Sequence, residues 1–431
     1  MRLLAAATAV AVAASSCTDD GSNRRPDQGE GGTAPTGTAV PGGGVTFGVL
    51  GEPATLDPYS PLASDLTYWL ARPVLPSLFR RDPEGAVRPD LAASLEVFGD
   101  RAVVTLRPAR WSDGSRIVAS DVVASIDRAQ ESPSNRSGFR HIRSAKARSR
   151  TEIVLRGPID DWESTLARGG LVMPAGSSKA PLRVSGGPME LVSRTPGLQV
   201  VYEPNPDWYG QAAELDRVRV QFILSVEMML ALLERDRLDA AAIPSSLNLD
   251  ERLDERGIDH AEARGDEVVY LDLEGAVSGR ASRARLIAAL DRGALKEGLI
   301  RDDGASAGTR SPPAPSRSQP DATVELAAPS GDELLTLMQR VMRLHYQRAG
   351  ITAQLVTIDP FTYYGEWERD DPVDLALRRA VAPLGIDRTL GRFPLFEVDS
   401  VVAWNEGVVG PRPNPSLDGP LWNVERWRVV P

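Results

Sequence analysis

Between Thr323 and Ile358 the sequence contains a complete strand–helix–strand unit, and it limits the fold more than any other stretch. Thr323 to Ala327 has strand composition, and Ser330 with Glu333 reads as a capping-box pair. Leu334, Met338, Val341, Met342 and His345 then fall on one helical face. Gly350 suits the position just past the helix C-terminus, and Ile351 to Ile358 is the returning strand. Two strands joined through a helix in one sheet run parallel, with a right-handed crossover. The chain is therefore expected to be α/β. His345 on that stripe reads as a hydrogen-bonded histidine at the edge of a core.

The remaining pattern supplies more of both element types. Val45 to Leu50 is an apolar strand followed by a turn-rich segment, in which Pro53 and Pro58 exclude a regular ladder or helix interior. Ala102 to Leu106 and Glu152 to Leu155 read as strands. Trp111-Ser112-Asp113-Gly114 has turn chemistry. Ser120 is expected to cap a helix from Asp121 to Gln130, with Val122, Val123, Ile126 and Ala129 on one face. Leu198 to Glu203 is a strand. Val218, Val220, Phe222 and Leu224 alternate with Arg217, Arg219, Gln221 and Ile223, which argues a strand with one wetter face. Ser225 caps a helix that carries Val226, Met229, Leu230 and Leu233 as its apolar stripe. Val268 to Leu273 is a further strand, and Ala281 to Leu299 is expected to be helical, with Ile287, Leu290 and Ala294 at helix spacing. Ala305 to Asp321 reads as an exposed Ser/Pro-rich loop.

A chain of 431 residues exceeds one compact core and suggests two or three lobes. A formal net charge of −10 leaves no footprint for nucleic acid. Cys17 is the sole cysteine, so a disulfide or a thiol zinc cluster within the chain is excluded. His141, His260 and His345 have no metal-ligand spacing, and no cofactor motif is present. Gly304-Ala305-Ser306-Ala307-Gly308 matches Gly-x-Ser-x-Gly, with Asp332 and His345 downstream. It lacks the strand before it and the helix after it that a nucleophile elbow needs, so no enzyme is expected. Adjacent acids such as Asp266-Glu267 read as solvated surface.

Met1 to Ser16 reads as a secretory signal, an apolar run of small residues too short to span a bilayer. Ala14-Ser15-Ser16 before Cys17 resembles the lipobox of bacterial lipoproteins, whose thiol is acylated. Thr18 to Gly44 is polar and rich in Gly and Pro, a tether of about 27 residues spanning roughly 30 Å r.m.s..

Several segments in order resemble the family 5 extracellular solute-binding proteins, the dipeptide, oligopeptide and nickel receptors of ABC importers. They are GEPATLDP (51–58), RPDLAASLEV (88–97), VTLRPARWSDGSRIVASDVVASIDRA (104–129), SGGPMEL (185–191), EPNPDWYGQAAELDRVRVQFI (203–223), LLERDRLDAA (232–241) and RARLIAALDR (283–292). The resemblance implies an α/β, two-lobe periplasmic-binding-protein-like fold of type II. Its mixed sheets would be flanked by helices and joined by a hinge. Residues 1–16 would be the signal and 17–44 the tether. Residues 45–265 with 395–431 would form lobe 1, holding an inserted subdomain at 68–185, and 266–394 would form lobe 2. That second lobe reads as shortened, since Asp374-Leu375-Ala376-Leu377 is followed almost at once by Phe393-Pro394-Leu395. The segments at Pro394–Val402 and Leu421–Val430 resemble the final strands of the family. Trp404, Trp422 and Trp427 are expected to pack against lobe 1.

By the same resemblance, Glu52, Ala54, Thr55 and Tyr59 would face the interlobe cleft, as would Met189, where the family usually has Tyr. From lobe 2 the candidates are Asp374 for a ligand amine, Arg378 for a carboxylate, and Tyr363 of the aromatic run Phe361, Tyr363, Tyr364 and Trp367. Cys17 would carry the lipid. The implied protein is a monomer on the outer face of the cytoplasmic membrane, passing a peptide or similar small solute to permease subunits. The alternative is a transport-inactive relative acting as a sensing or interaction module.

Overall fold

The computed structural model describes residues 42–132, 136–176, 182–273, 280–299, 322–364, 373–381 and 391–430. Its first strand, β1 (Gly44–Leu50), buries Val45, Phe47 and Val49 on one face, because side chains two apart share a side. Gly51 ends the strand with φ of +73°, and a Cβ there would also lie 2.9 Å from the Tyr364 ring. Helix α1 (Asp65–Ala71) follows the proline-bounded loop.

A hairpin of β2 (Phe79–Arg81) and β3 (Val87–Pro89) leads into a separate antiparallel sheet. That sheet is built from β4 (Ala92–Phe98), β5 (Arg101–Leu106), β6 (Ser144–Ala147) and β7 (Glu152–Arg156), in the order β4-β5-β7-β6. Helix α2 (Ala119–Glu131) covers it, with α3 (Arg136–Phe139) and α4 (Trp162–Leu166) nearby. The start of α2 differs from the Ser120 cap. The helix begins at Ala119, and the Asp121 carboxylate reaches back to accept from Val118 N–H at 3.0 Å. A carboxylate in the third helical position satisfies that donor without a capping hydroxyl.

The main chain of strands then resumes with β8 (Met189–Thr195), β9 (Gln199–Pro204) and β10 (Arg217–Ile223). Val218, Val220 and Phe222 are buried as their alternation requires. Leu224 is not, because the strand stops at Ile223. Ser225 Oγ caps α5 (Val226–Leu233) by accepting from Met228 N–H at 3.2 Å. There follow β11 (Ala240–Pro244), α6 (Leu249–Asp254) and the long β12 (Asp259–Asp272). The helical stretch after it is two helices, α7 (Arg280–Ala288) and α8 (Arg292–Leu299), rather than one. The break lets Asp291 N–H donate to His345 Nδ1 at 3.4 Å.

The strand–helix–strand unit is present as β13 (Ala322–Pro329), α9 (Glu333–Arg348) and β14 (Ile351–Ile358), with β13 and β14 parallel. Its cap differs from the Ser330–Glu333 box. Asp332 Oδ1 accepts from Leu335 N–H at 3.0 Å, and Glu333 turns outward to Arg252. Helix α10 (Pro360–Tyr364), β15 (Leu375–Val381) and β16 (Arg392–Trp404) complete the sheet. Pro394–Val402 falls within β16, whereas Leu421–Val430 holds only a 3-10 turn at Val424–Arg426 and the short β18 (Arg428–Val429), which pairs with β17 (Val408–Val409). Prolines at 411, 413, 415 and 420 withhold ladder donors from the segment between β17 and that turn.

Among the described residues, ten strands form one sheet, ordered β14-β13-β15-β12-β16-β11-β1-β10-β9-β8. Two long strands, β12 and β16, pair antiparallel along its middle and carry it from one lobe to the other. Their register shifts between Ala263 and Glu267, and such an irregularity bends a strand. The first lobe has a core on each face of the sheet. Ala240 and Ala242 of β11 enter one, while Ala241 and Ile243 enter the other with Met229, Leu230 and Leu253. The second lobe has its own core, built from Val269, Leu271, Leu326, Met338, Tyr346 and Leu377 among others. This is the two-lobe α/β architecture of a periplasmic binding protein. Among the described residues no helix is long and apolar enough to cross a membrane.

Trp427 lies fully buried with its ring centroid 5.3 Å from that of Phe47. It thus joins the chain's last segment to β1. Trp404 is half-buried on the same core, and Trp422 O accepts from Arg80 Nη1 at 3.4 Å. Trp427→Ala is expected to lower unfolding free energy by about 3–5 kcal/mol, read from urea denaturation.

Candidate functional site: a cavity between the lobes

A cavity of about 110 Å³ lies where the two lobes meet. From the first lobe come Ser64, Asp65, Leu66 and Trp69 at α1, and Ala242 to Pro244 at the end of β11. Leu50 of β1 and Ser400 to Val402 of β16 add apolar wall. Glu267 enters from β12, where its register shifts. The second lobe contributes Asp332 at the start of α9 and Arg379 of β15, with Tyr364 of α10 beside them.

Arg379 and Asp332 form the strongest interaction on this wall. Arg379 Nε donates to Asp332 Oδ2 at 2.7 Å, and Nη2 donates to Oδ1 at 2.9 Å. Nη2 also donates to Ser245 O, just beyond β11, at 2.7 Å. The side chains are only 6% and 1% exposed, and the pairing is bidentate, the strong geometry for guanidinium and carboxylate. Burial works against the guanidinium charge, but Asp332 outweighs it and raises the Arg379 pKa above its usual value. Asp332 also caps α9, so one carboxylate serves a helix terminus and a buried cation.

Two further carboxyls sit on the wall. Burial pushes the Glu267 carboxyl up to about 7, partly offset by the Arg379 charge. Burial also holds Asp65 well above the usual carboxylate range, although its Oδ2 accepts from Val381 N–H. Asp65 Oδ1 has no hydrogen-bond partner among the described residues, and neither do Arg379 Nη1 and Trp69 Nε1.

Contacts across the lobes flank the cavity. Val226 N–H donates to Gly331 O at 3.2 Å. Arg252 of α6 bridges Glu333 of α9, at 2.6 Å, and Glu227 of α5. A Cβ on Gly331 would lie 1.9 Å from Leu224 O, so only glycine permits this approach.

The eight ligand candidates from the sequence lie elsewhere. Glu52 is drawn to Arg194 at 2.7 Å and to Gly197 N–H at 2.6 Å within the first lobe. Ala54 is half-buried in the loop after β1, and Thr55 Oγ1 accepts from Asp57 N–H in the same loop. Tyr59 and Met189 are buried in the first core, Tyr59 donating to Leu171 O. Tyr363 is buried and donates to Leu377 O at 2.5 Å. Asp374 accepts from Glu325 N–H at 2.9 Å. Arg378 stacks 5.3 Å over the Tyr363 ring and lies 3.7 Å from Asp272. None of the eight lines the cavity. The residues next to two of them, Tyr364 of α10 and Arg379 of β15, do line it; Arg378 and Arg379 are adjacent on a strand, so their side chains point to opposite faces. Glu267, read as solvated surface, is only partly exposed and lines the cavity. Cys17, the tether up to residue 41, Trp367, the 305–321 loop and the Gly304–Gly308 motif lie outside the described residues.

The sequence profile of the bacterial extracellular solute-binding proteins, family 5, middle part, matches residues 86–330. The chain belongs to this family. No curated protein matches it. Among solved structures, the family 5 chain is similar to the oligopeptide-binding protein AppA from Bacillus subtilis in complex with a nonapeptide, at 14% identity and a TM-score of 0.73, covering 91% of this chain and 100% of that one. It is similar to NikZ from Campylobacter jejuni in complex with Ni(L-His), at 16% identity and a TM-score of 0.71, covering 90% and 100%. A periplasmic EDTA-binding protein, EppA, aligns at 18% identity with a TM-score of 0.67, covering 92% and 98%. These likenesses establish the fold.

Two outcomes follow from the cavity wall. Asp332→Ala should destabilise the protein by about 3–5 kcal/mol, since it strands a buried guanidinium. Adding Arg379→Met should recover part of that loss, as a double-mutant cycle in urea would read. Glu267 protonates more readily folded than unfolded, so its stabilising contribution is complete below pH 4.5 and lost as pH rises through about 7. Glu267→Gln, an analogue of the protonated form, should flatten that decline in urea midpoints measured across this window.

Proposed function

We propose that this chain is an extracytoplasmic receptor that encloses a small solute between its lobes and hands it to the permease subunits of an ABC importer. The observation that carries this reading is the interlobe cavity, walled by both lobes, whose lining residues include three with buried polar atoms lacking a partner among the described residues. Buried polar groups normally have partners, and a solute would supply them. The solutes named with the similar structures are a nonapeptide, a nickel–histidine complex and EDTA. The fold thus accommodates unlike ligands, and the ligand class must come from the site itself.

In this reading Cys17 carries a lipid on the outer face of the cytoplasmic membrane, and the tether of residues 17–44 lets a monomeric receptor stand off it. Residues 45–265 and 395–431 form lobe 1, and 266–394 a shortened lobe 2. A second reading is a transport-inactive relative that senses or binds another protein. The cavity size favours it, since about 110 Å³ is below the few hundred cubic ångström common in ligand pockets.

Native mass spectrometry of the full chain, purified gently in detergent from its host, separates the two. A stoichiometric added mass that disappears on denaturation is the expected result. A bare mass, with no thermal shift across peptide, amino-acid, sugar and metal panels, would leave the interaction module.

A further inference from the structure

We infer that the solute held in the interlobe cavity is of about amino-acid size and carries a primary ammonium group, which Asp65 and Glu267 receive. This inference rests on the solute-receptor reading and deepens it.

Charge provides the first argument. Asp65, Glu267 and Asp332 line the cavity, and Arg379 is the only cation among the lining residues. Asp332 is committed to Arg379 through two hydrogen bonds. Arg392, the other cation facing Asp65, lies 3.6 Å from the Asp272 carboxylate. Two partly buried carboxyls therefore remain on the wall with no ion-pair partner among the described residues. A ligand lacking a cation would require both to stay protonated; an ammonium group lets them ionise against it.

Hydrogen bonding provides the second. Among the described residues, Asp65 Oδ1 is an acceptor without a partner, while Arg379 Nη1 and Trp69 Nε1 are donors without partners. The Arg379 side chain is only 6% exposed, so it meets little bulk solvent. A molecule with an ammonium beside a carbonyl or carboxylate oxygen complements Asp65 Oδ1 and Arg379 Nη1. A bare metal ion complements only the acceptor, and among the described residues no group of three or more His, Cys, Asp or Glu could hold one.

Volume and lining provide the third. About 110 Å³ has room for one small residue, and Leu50, Ile243, Val401 and Val402 offer a branched hydrocarbon an apolar surface. A chain of several residues would not be enclosed.

The test is isothermal titration of the full chain in detergent, at neutral pH, with four probes of one shape. L-Valinamide and L-valine carry the ammonium; N-acetyl-L-valine and 3-methylbutanamide do not. The first two should bind, and the last two should bind at least about tenfold more weakly, a difference of about 1.4 kcal/mol. Asp65→Asn and Glu267→Gln, each checked for native circular dichroism, should each weaken the amines by a similar factor and leave the other two probes unchanged. Equal binding of N-acetyl-L-valine or 3-methylbutanamide, no binding of either amine, or amine binding indifferent to both substitutions would overturn the inference. A solute without an amine found by native mass spectrometry would overturn it too, while leaving the receptor reading intact; a bare mass would remove both.

Discussion

The buried pair of Arg379 and Asp332 is the interaction on which the site depends. It ties together three parts of the chain that are distant in sequence: β15, the first turn of α9 and the segment just beyond β11. Two charges at this depth lose most of their hydration, and their attraction offsets that loss only when the remaining donors and acceptors are satisfied. Here both Asp332 oxygens and three of the five guanidinium protons are satisfied, while those on Nη1 have no partner among the described residues. Asp332 accepts from the guanidinium and from Leu335 N–H, and Ser245 O takes one further guanidinium proton. A pair so constrained tolerates little displacement, which makes it a geometric reference for the cavity wall.

The long antiparallel pairing of β12 with β16 supplies the second constraint. One continuous sheet serves both lobes, so the lobes cannot be placed independently. From Glu267, after the register shift, β12 pairs with β15 of the second lobe as well as with β16. That places Glu267 at the cavity wall between the lobes, where burial raises its pKa. Gly331 and Gly51 serve the same junction, each allowing a backbone approach that a Cβ would block.

Charge in the cavity then follows from this packing. One guanidinium answers one carboxylate, and Asp65 and Glu267 are left in a poorly hydrated space. A binding protein gains affinity from groups already desolvated and held in place before the ligand arrives. The unpartnered atoms of Asp65, Trp69 and Arg379 have this character, and they lie on elements fixed by cores of either lobe.

Much of the scaffold was legible in local pattern. The parallel unit around α9, the buried alternation of Val218, Val220 and Phe222, the Ser225 cap and the glycine after α9 each rest on interactions within a few residues. Ordered motifs likewise pointed to the family before any coordinates. Caps were less legible where two polar residues compete: Asp332 displaced the Ser330–Glu333 box because it also meets Arg379, which is remote in sequence. The cavity wall was least legible. Arg378 and Arg379 are identical in type and adjacent, and only the register of β15 against β12 decides which one faces the cavity. Asp65 and Glu267 look like surface acids until α1 and β12 are packed. Periodicity and capping are local, so they leave their mark in sequence; desolvation and the meeting of two lobes arise from contacts between distant segments, and only the folded chain creates them.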